Sequence, residues 1–415
     1  MPATVDTTAD NLLLSLLLTP EGRSDPYPLY RQLRETAPVL RSSFGPIVLS
    51  RHDDCLSALR NPKLGRGSAF RREGISPLGL GFDLDPELRE AFLSRSVDNM
   101  LMADPPDHTR LRALSQRAFT PARVEAMRPA IQAMVDDVLD RVADAGEVDV
   151  MTELAFPLPV RVIGEFVGVP AEDRAQFQPL VRASVAAIEP TADSDALRAA
   201  LGAQDQMRAY FRELLAERRR IAQDDFLTAL AGATEGDDAL TDEEIVATAI
   251  LLFAAGFETT TNLIGNGLLA LLRAPEQLDR WRRDPSLDRT GVEELLRWDS
   301  PVQVNLRTAL QPSEVAGEPL EPGDVVLVLQ GGANRDPDRF DHAETLDPGR
   351  SDNQPLSFGW GIHHCLGAPL ARMEGEIVFR SLFERFDTIE LLDPDPSWRP
   401  NLTLRGLAAL PVRMG

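Results

Sequence analysis

The chain contains little cysteine and little lysine, and both shortages limit what it can do. Its only cysteines are Cys55 and Cys365. Two cysteines cannot build a disulfide framework, a four-cysteine zinc site or a four-cysteine iron–sulfur cluster within one chain. Lys63 is the only lysine, so Schiff-base catalysis would depend on one residue in a loop rich in proline and glycine. We expect Cys55 to be a small core residue, which leaves Cys365 for chemistry.

Positive charge is also scarce. Lysine and arginine number 43 against 65 acidic residues, a formal net charge of −22. Nucleic acids and anionic membranes bind basic surfaces, so neither is an expected partner. The apolar run 12–18 is far shorter than the roughly 20 residues of a membrane span. It also lacks the flanking features of a signal peptide. We therefore expect a cytoplasmic protein with no membrane span, and a monomer.

Apolar residues are plentiful enough for a large core. Of the 415 residues, 43% are hydrophobic, and no linker-like stretch divides the chain. We therefore predict a single domain over 1–415. Helical periodicity predicts amphipathic helices near 123–144, 207–221 and 241–272.

Strand-like segments lie towards both ends of the chain. Residues 39–49 predict one hairpin, and 315–329 predict a second around the turn Glu321-Pro322-Gly323-Asp324. The stretch 61–104 is rich in glycine and proline. It predicts a long functional loop with one short helix near 86–94. The fold class is therefore mainly α, with many helices and small peripheral β-sheets.

One segment is especially informative about function: Phe358-Gly359-Trp360-Gly361-Ile362-His363-His364-Cys365-Leu366-Gly367. Its glycines permit backbone angles closed to other residues and close approach to a flat cofactor. A cysteine before a helix meets unpaired N–H groups and a dipole that favour a thiolate. Such a cysteine is typical of a metal ligand. A structural cysteine in a turn and a zinc site shared with His363 and His364 are the alternatives.

The segment resembles the haem-binding loop of cytochromes P450. The matched positions are Phe358, Gly361, His363, Cys365 and Gly367, with histidine where arginine is commoner. The resemblance implies a single large cytochrome P450 fold, with haem b between the long central helix and the helix that follows the cysteine loop. Cys365 would be the axial ligand of the haem iron, and Phe358 and Gly359 would contact the cofactor.

A second motif, Ala255-Gly256-Phe257-Glu258-Thr259, lies in the apolar stretch 245–272. A carboxylate and a hydroxyl inside such a helix are costly unless they find partners or a function. In the family, this acid-alcohol pair lies beside bound oxygen. Glu258 and Thr259 would deliver protons, Ala255 would contact the haem, and Gly256 would let the helix loosen. The alternative is a threonine bonded back to its own helix beside a solvent-facing glutamate.

Two further residue sets gain meaning from the resemblance. Glu294 and Arg297 stand three apart on one helix face. With Arg339 they would form a buried charge network that supports the haem pocket. The haem propionates need cationic partners, and the residues that match the family's contacts are His108, Arg112, Arg307 and His363.

The resemblance also indicates where a substrate would bind, namely in a largely apolar pocket with polar anchors at Gln303 and Asn305. The other predicted pocket residues are Leu251, Ala254, Val302 and Thr403.

The implied activity is a monooxygenase that uses O2 to hydroxylate or epoxidise a hydrophobic organic molecule, in secondary-metabolite biosynthesis or catabolism. The chain has no flavin domain, nicotinamide fingerprint or iron–sulfur motif. Electrons would therefore come from NAD(P)H through an external ferredoxin reductase and ferredoxin. Arg110, Arg117 and Arg123 lie in a basic segment that would dock the ferredoxin.

Three other functions stay open from the sequence. One is oxidative coupling or peroxide-driven turnover at the same haem. The second is a non-catalytic haem carrier or sensor, and the third is a zinc-stabilised helical binding protein.

Overall fold

The protein is mostly helical. The structure is a computed structural model that describes residues 7–66, 85, 87–88, 90–91, 99–189, 192–235 and 238–415. Most of the loop predicted over 61–104 lies outside the described residues, and of the helix predicted near 86–94 only residues 87, 88, 90 and 91 are described, all of them helical. The helices of the first half are α1 Thr7–Leu18, α2 Pro20–Ser24, α3 Tyr27–Thr36, α4 His52–Arg60, α5 Asp107–Ala118, α6 Pro121–Ala126, α7 Arg128–Ala143, α8 Pro157–Val167 and α9 Phe177–Ala186. The helices of the second half are α10 Ser194–Arg220, α11 Phe226–Ala231, α12 Asp242–Leu272, α13 Pro275–Arg283, α14 Asp288–Trp298, α15 Gln330–Ala333 and α16 Ala368–Arg385.

The long helix α12 lies at the centre of the main hydrophobic core. It begins with a capping box, in which the Glu244 N–H donates to Thr241 Oγ1 and the Thr241 N–H donates to Glu244 Oε2. It packs against α8, α10 and α16. By length and composition alone it would also qualify as a membrane span, but 61% of its most apolar window is buried inside the protein. The core helix of a globular protein meets the same criterion.

The other two predicted helices differ from the structure at their ends. The helix predicted over 123–144 is two helices, α6 and α7, because the chain turns at Met127 and Pro129 starts the second one. The helix predicted over 207–221 begins earlier, at Ser194. There the Asp193 carboxylate accepts a hydrogen bond from the Ala196 N–H and caps the helix.

The sheets are small and lie around the helical core. The strands are β1 Val39–Arg41, β2 Ile47–Leu49, β3 Leu64–Gly65, β4 Glu147–Asp149, β5 Thr234–Glu235, β6 Asp238–Ala239, β7 Asn305–Ala309, β8 Ser313–Val315, β9 Glu318–Leu320, β10 Val325–Val328, β11 Ile389–Leu391 and β12 Pro411–Met414. The largest sheet has the order β1-β2-β10-β7-β3, and a second has the order β11-β12-β4. Only β2 and β10 pair in parallel in these two sheets.

One predicted hairpin is present and the other is wrong. The pair β1–β2 confirms the hairpin over 39–49, with Val39 opposite Leu49. Around 315–329, β9 pairs with β8, while β10 joins the large sheet between β2 and β7. The turn at 321–324 therefore links two different sheets. Turn residues show where a chain reverses, but the partner strand is chosen by tertiary packing.

Candidate haem pocket

A cavity of about 580 Å³ lies between α12 and the segment before α16. It is lined by most of the residues predicted from the sequence. These are His108, Arg112, Leu251, Ala254, Ala255, Thr259, Val302, Asn305, Phe358, Gly359, His363, Cys365, Gly367 and Thr403.

The cysteine loop is held in shape by its own backbone. Gly359 and Gly361 have φ values of 63° and 72°, in the left-handed region that favours glycine. A Cβ atom on Gly361 would lie 2.5 Å from the Leu59 carbonyl oxygen. The Cys365 N–H donates to the Phe358 carbonyl at 2.9 Å. This geometry presents Cys365 at the cavity wall, as the sequence predicted.

The environment of the thiol differs from the prediction in one respect. The Cys365 thiol is exposed to the cavity but lies deep within the protein, and this desolvation raises its pKa, although the Gly367 and Ala368 N–H groups and the charges of Arg112 and Arg372 lower it. The helix begins only at Ala368, and desolvation outweighs the nearby donors. A thiol that coordinates a metal cation is deprotonated. Metal ligation would therefore stabilise the thiolate form of Cys365, which the helix end alone does not.

A cluster of basic side chains lies on the same cavity. It contains Arg66, His108, Arg112 and His363, and the rings of His108 and His363 lie 4.3 Å apart. Four buried nitrogens have no hydrogen-bond partner: Arg66 Nε, His108 Nδ1, Arg112 Nε and His363 Nε2. Burial, followed by the neighbouring cations, lowers the pKa of His363 to about 2. Sequence reasoning missed Arg66, which lies in a glycine-rich loop with no pattern to mark it.

Arg307 lies behind this cluster. It is 2% exposed and donates hydrogen bonds to Asn305 Oδ1 and to the Leu306 carbonyl. Burial, with a smaller contribution from Arg66, lowers its pKa to about 9. Among the residues that the structure describes, Asp104 is the acid that acts on Arg66 and Arg307, so positive charge is in excess there. Buried charges require partners, and the two propionates of a haem would supply them. The residues present therefore fit a haem beside Cys365.

Thr259 faces the cavity from the central helix. Its hydroxyl donates to the Ala255 carbonyl at 2.7 Å, so in this rotamer it can only accept a hydrogen bond from the cavity. The helix is continuous through Gly256, and a Cβ on that residue would meet Ile163 at 3.0 Å. The predicted loosening of the helix at Gly256 is therefore not seen.

Glu258 does not face the cavity, which corrects its predicted place beside bound oxygen. It is 1% exposed and pairs with Arg399. Arg399 also donates to Asn262 Oδ1 at 3.3 Å. Neighbouring side chains on an α-helix point about 100° apart. Because Thr259 faces the cavity, the adjacent Glu258 faces a different side of α12. The solvent-facing alternative is also wrong, because the carboxylate is buried.

A different glutamate lines the cavity. Glu374 on α16 is 3% exposed, and its Oε1 atom has no hydrogen-bond partner. Burial raises its pKa to about 8. The sequence contains a signal for it, since Glu374 interrupts the buried positions Leu370, Met373 and Ile377 of α16.

The predicted pair Glu294–Arg297 is present and fully buried. Arg297 Nε and Nη2 each donate to the Glu294 carboxylate at 2.7 Å, and both side chains are 0% exposed. Arg297 also donates to three backbone carbonyls. The same carboxylate accepts from Arg350 Nε at 3.1 Å, from the Asn353 amide and from the Asp347 N–H.

Arg339 is not the third member of this network. Its guanidinium pairs with Asp352, whose side chain is 76% exposed. Arg350 occupies the predicted position instead. Both arginines come from the irregular chain between α15 and α16, where sequence spacing does not determine which side chain returns to the helix.

The predicted substrate residues divide into two groups. Leu251, Ala254, Val302, Asn305 and Thr403 lie on the cavity wall, as predicted. Gln303 is not among the cavity-lining residues and is 0% exposed. Its amide donates to Tyr27 Oη and to the Ser300 carbonyl. In the extended chain after α14, successive side chains point to opposite sides, so Gln303 points away from the side that Val302 faces. Its role is therefore structural.

The basic segment proposed for ferredoxin docking is partly neutralised. Arg110 pairs with Asp238 and Glu244, and Arg123 pairs with Asp224. The sequence could not show these acids, because they are more than a hundred residues away along the chain.

The zinc alternative lacks ligands in the part of the chain that the structure describes. Within those residues, no three histidine, cysteine, aspartate or glutamate side chains cluster in a way that would hold a metal ion. Haem ligation differs, since one cysteine suffices.

Comparison with known proteins establishes the family. The cytochrome P450 family model matches residues 85–284 and 287–410. The chain belongs to the cytochrome P450 family. Polyketide biosynthesis cytochrome P450 PksS of Bacillus subtilis is 37% identical, over 96% of this P450 and 99% of that protein. The 6-deoxyerythronolide B hydroxylase of Saccharopolyspora erythraea is 38% identical, over 94% and 96%.

Solved structures agree with this P450 assignment. The crystal structure of P450BioI in complex with an acyl carrier protein ligated to hexadec-9Z-enoic acid has a TM-score of 0.87. It is 35% identical and covers 95% of this P450 and 99% of that chain. The P450 fold and monooxygenase class expected from the cysteine loop are therefore confirmed.

Proposed function

We propose that this P450 binds haem b through Cys365 and inserts one oxygen atom of O2 into a hydrophobic substrate. The observation that carries the proposal is the pairing of Cys365 with a cluster of basic side chains on one cavity, each with a buried nitrogen that has no hydrogen-bond partner. A lone thiol or a lone basic cluster would have many explanations. Together they match the two chemically distinct parts of haem, its metal and its propionates.

Each wall of the cavity has its own task. Bound haem supplies the activation of O2, and a thiolate ligand favours O–O cleavage. Arg66 and Arg112 would hold and neutralise the propionates, and His108, whose pKa is lowered by burial, would donate a hydrogen bond to them as a neutral ring. Thr259 accepts a hydrogen bond at Oγ1 and, after rotation of its hydroxyl, donates one. Glu374 is protonated at neutral pH, because its pKa is about 8, and it holds a proton at the cavity wall.

The substrate is a hydrophobic organic molecule. The wall contributed by Leu251, Ala254 and Val302 is apolar and offers few polar anchors. The named relatives act in polyketide biosynthesis and on 6-deoxyerythronolide B. They support hydroxylation or epoxidation of a secondary metabolite as the reaction.

Electrons come from NAD(P)H through an external ferredoxin reductase and ferredoxin. The support is compositional, since the sequence carries no flavin, nicotinamide or iron–sulfur motif of its own. We also propose that the chain works as one cytoplasmic, monomeric catalytic domain. The support is again compositional, namely the net charge of −22 and the lack of a linker-like stretch.

The decisive experiment is the absorption spectrum of dithionite-reduced protein under carbon monoxide. A strongly red-shifted Soret band is expected for the wild type, and it should be lost in Cys365→His, which can still ligate iron. Cys55→Ser is the matched control and should keep the band. A folded, haem-supplied wild type with no haem band, or with the same band in Cys365→His, would overturn the proposal.

Peroxide-driven turnover is the second candidate, and one observation favours it. Glu258 is bound to Arg399 away from the cavity, so the acid-alcohol pair is not assembled there. Product formation with hydrogen peroxide alone, compared with NAD(P)H and redox partners, separates the two modes. Equal or faster turnover with peroxide would favour the second candidate.

A further inference from the structure

The cavity of this P450 has a polar region on helices other than those that carry the haem-binding residues. Ser184 near the end of α9 and Gln204 in α10 both line the cavity. Ser184 Oγ and Gln204 Oε1 are buried, and neither has a hydrogen-bond partner. An unpaired buried polar atom is costly. Two of them on one cavity therefore require an explanation.

The packing of the two helices indicates that these side chains face each other. Near the start of α9, the Phe177 ring lies 5.6 Å from the ring of Phe211 on α10. Ser184 lies seven residues after Phe177 on α9, and Gln204 lies seven residues before Phe211 on α10. Because the chain reverses between the helices, both steps lead in the same direction from the ring contact. Seven residues are about two helical turns, which returns both side chains to the facing surfaces.

The surroundings favour a neutral ligand group. Val185 and Met207, next to the pair on the two helices, are apolar and line the same cavity. Glu189 also lines it, and its carboxylate accepts hydrogen bonds from the N–H groups of residues 402–404 at 2.9, 3.0 and 3.2 Å. The nearby cation Arg208 donates to Glu243 at 3.4 Å. Burial raises the pKa of Glu189, so a ligand carboxylate would meet an acidic group that is already costly to ionise and a cation that is already engaged.

We propose that Ser184 and Gln204 form a hydroxyl-binding subsite. A substrate hydroxyl donates to Gln204 Oε1 and accepts from the Ser184 hydroxyl, which satisfies both atoms with one group. The inference rests on the proposed function and narrows its substrate class. The substrate is a neutral, largely apolar molecule that carries a hydroxyl group in addition to the carbon that is oxidised.

The test compares ligands whose oxygen carries either a proton or a methyl group. Dodecyl and tetradecyl alcohols and their methyl ethers are titrated into the ferric, haem-loaded enzyme, and binding is measured by calorimetry and by the haem spin-state shift. The wild type should bind the alcohols about tenfold more tightly than the ethers, as expected for one buried hydrogen bond. Dodecanoic acid should bind more weakly than dodecyl alcohol.

Variants identify the residues responsible. Gln204→Met should reduce the alcohol preference to within about twofold, because Gln204 Oε1 accepts the hydroxyl proton. Ser184→Ala should instead weaken alcohol and ether binding by a similar factor, about tenfold, because either oxygen can accept from the Ser184 hydroxyl. Val185→Ala is the matched control for Gln204→Met, because it should weaken alcohol and ether binding equally and keep the preference. No alcohol preference in the wild type, a preference that survives in Gln204→Met, or unchanged alcohol binding in Ser184→Ala would overturn the subsite. Calorimetry needs neither turnover nor the carbon monoxide band, so failure of the proposed function would be seen separately.

Discussion

Replacing Glu294 should destabilise the protein far more than replacing Arg339. The Glu294 carboxylate is fully buried and binds both Arg297 and Arg350. Glu294→Ala leaves these arginines without their acid, and loss of one partner of a buried pair costs about 3–5 kcal/mol. A whole domain is stable by only about 5–15 kcal/mol. We therefore expect neither Glu294→Ala nor Arg297→Ala to yield stable, haem-loaded protein.

Arg339→Ala provides the contrast, because Arg339 pairs with the exposed Asp352. Such surface pairs contribute about 0–1 kcal/mol, so this variant should unfold almost like the wild type. Urea unfolding followed by circular dichroism gives the free energies, and the Soret absorbance gives the haem-loaded fraction. Folded, fully loaded Glu294→Ala, or an equal loss in Arg339→Ala, would refute the reasoning.

Three further predictions follow from the pocket. Because burial raises the pKa of Glu374 from 4.5 to about 8, wild type and Glu374→Gln should be equally stable at low pH. The wild type should then lose up to about 5 kcal/mol relative to the variant as pH rises from about 4.5 to about 8, with no further loss above that; parallel curves of unfolding free energy against pH would contradict this. Gly361→Ala should lose haem by absorbance, because its Cβ would meet the Leu59 carbonyl. Gly317→Ala is the matched control, because Gly317 also has a positive φ but has nothing within 4 Å and lies off the cavity; it should cost only about 1–2 kcal/mol and keep haem, and equal losses would be a negative result. Thr259→Ala should keep the carbon monoxide band but form less product per NAD(P)H consumed, whereas unchanged coupling would favour a carrier or sensor.

The sequence predicted local features well and tertiary partners poorly. The cysteine loop depends on glycine angles and adjacent residues, and the central helix depends on periodicity and a cap, so both could be predicted. The position of Glu258 depends on how α12 is rotated against its neighbours. The choice of Arg350 over Arg339 depends on how an irregular segment folds back onto α14. Neither is encoded in spacing along the chain.

The basic cluster around Arg66, Arg112 and His363 has a consequence for how the protein is made. Without cofactor, the positive charges of Arg66 in this cluster and of Arg307 behind it repel each other. The apoprotein should therefore be the least stable form, and folding yield should follow the haem supply of the producing cell. Raising the salt concentration, or adding a small dianion such as sulfate, should stabilise the apoprotein more than the holoprotein.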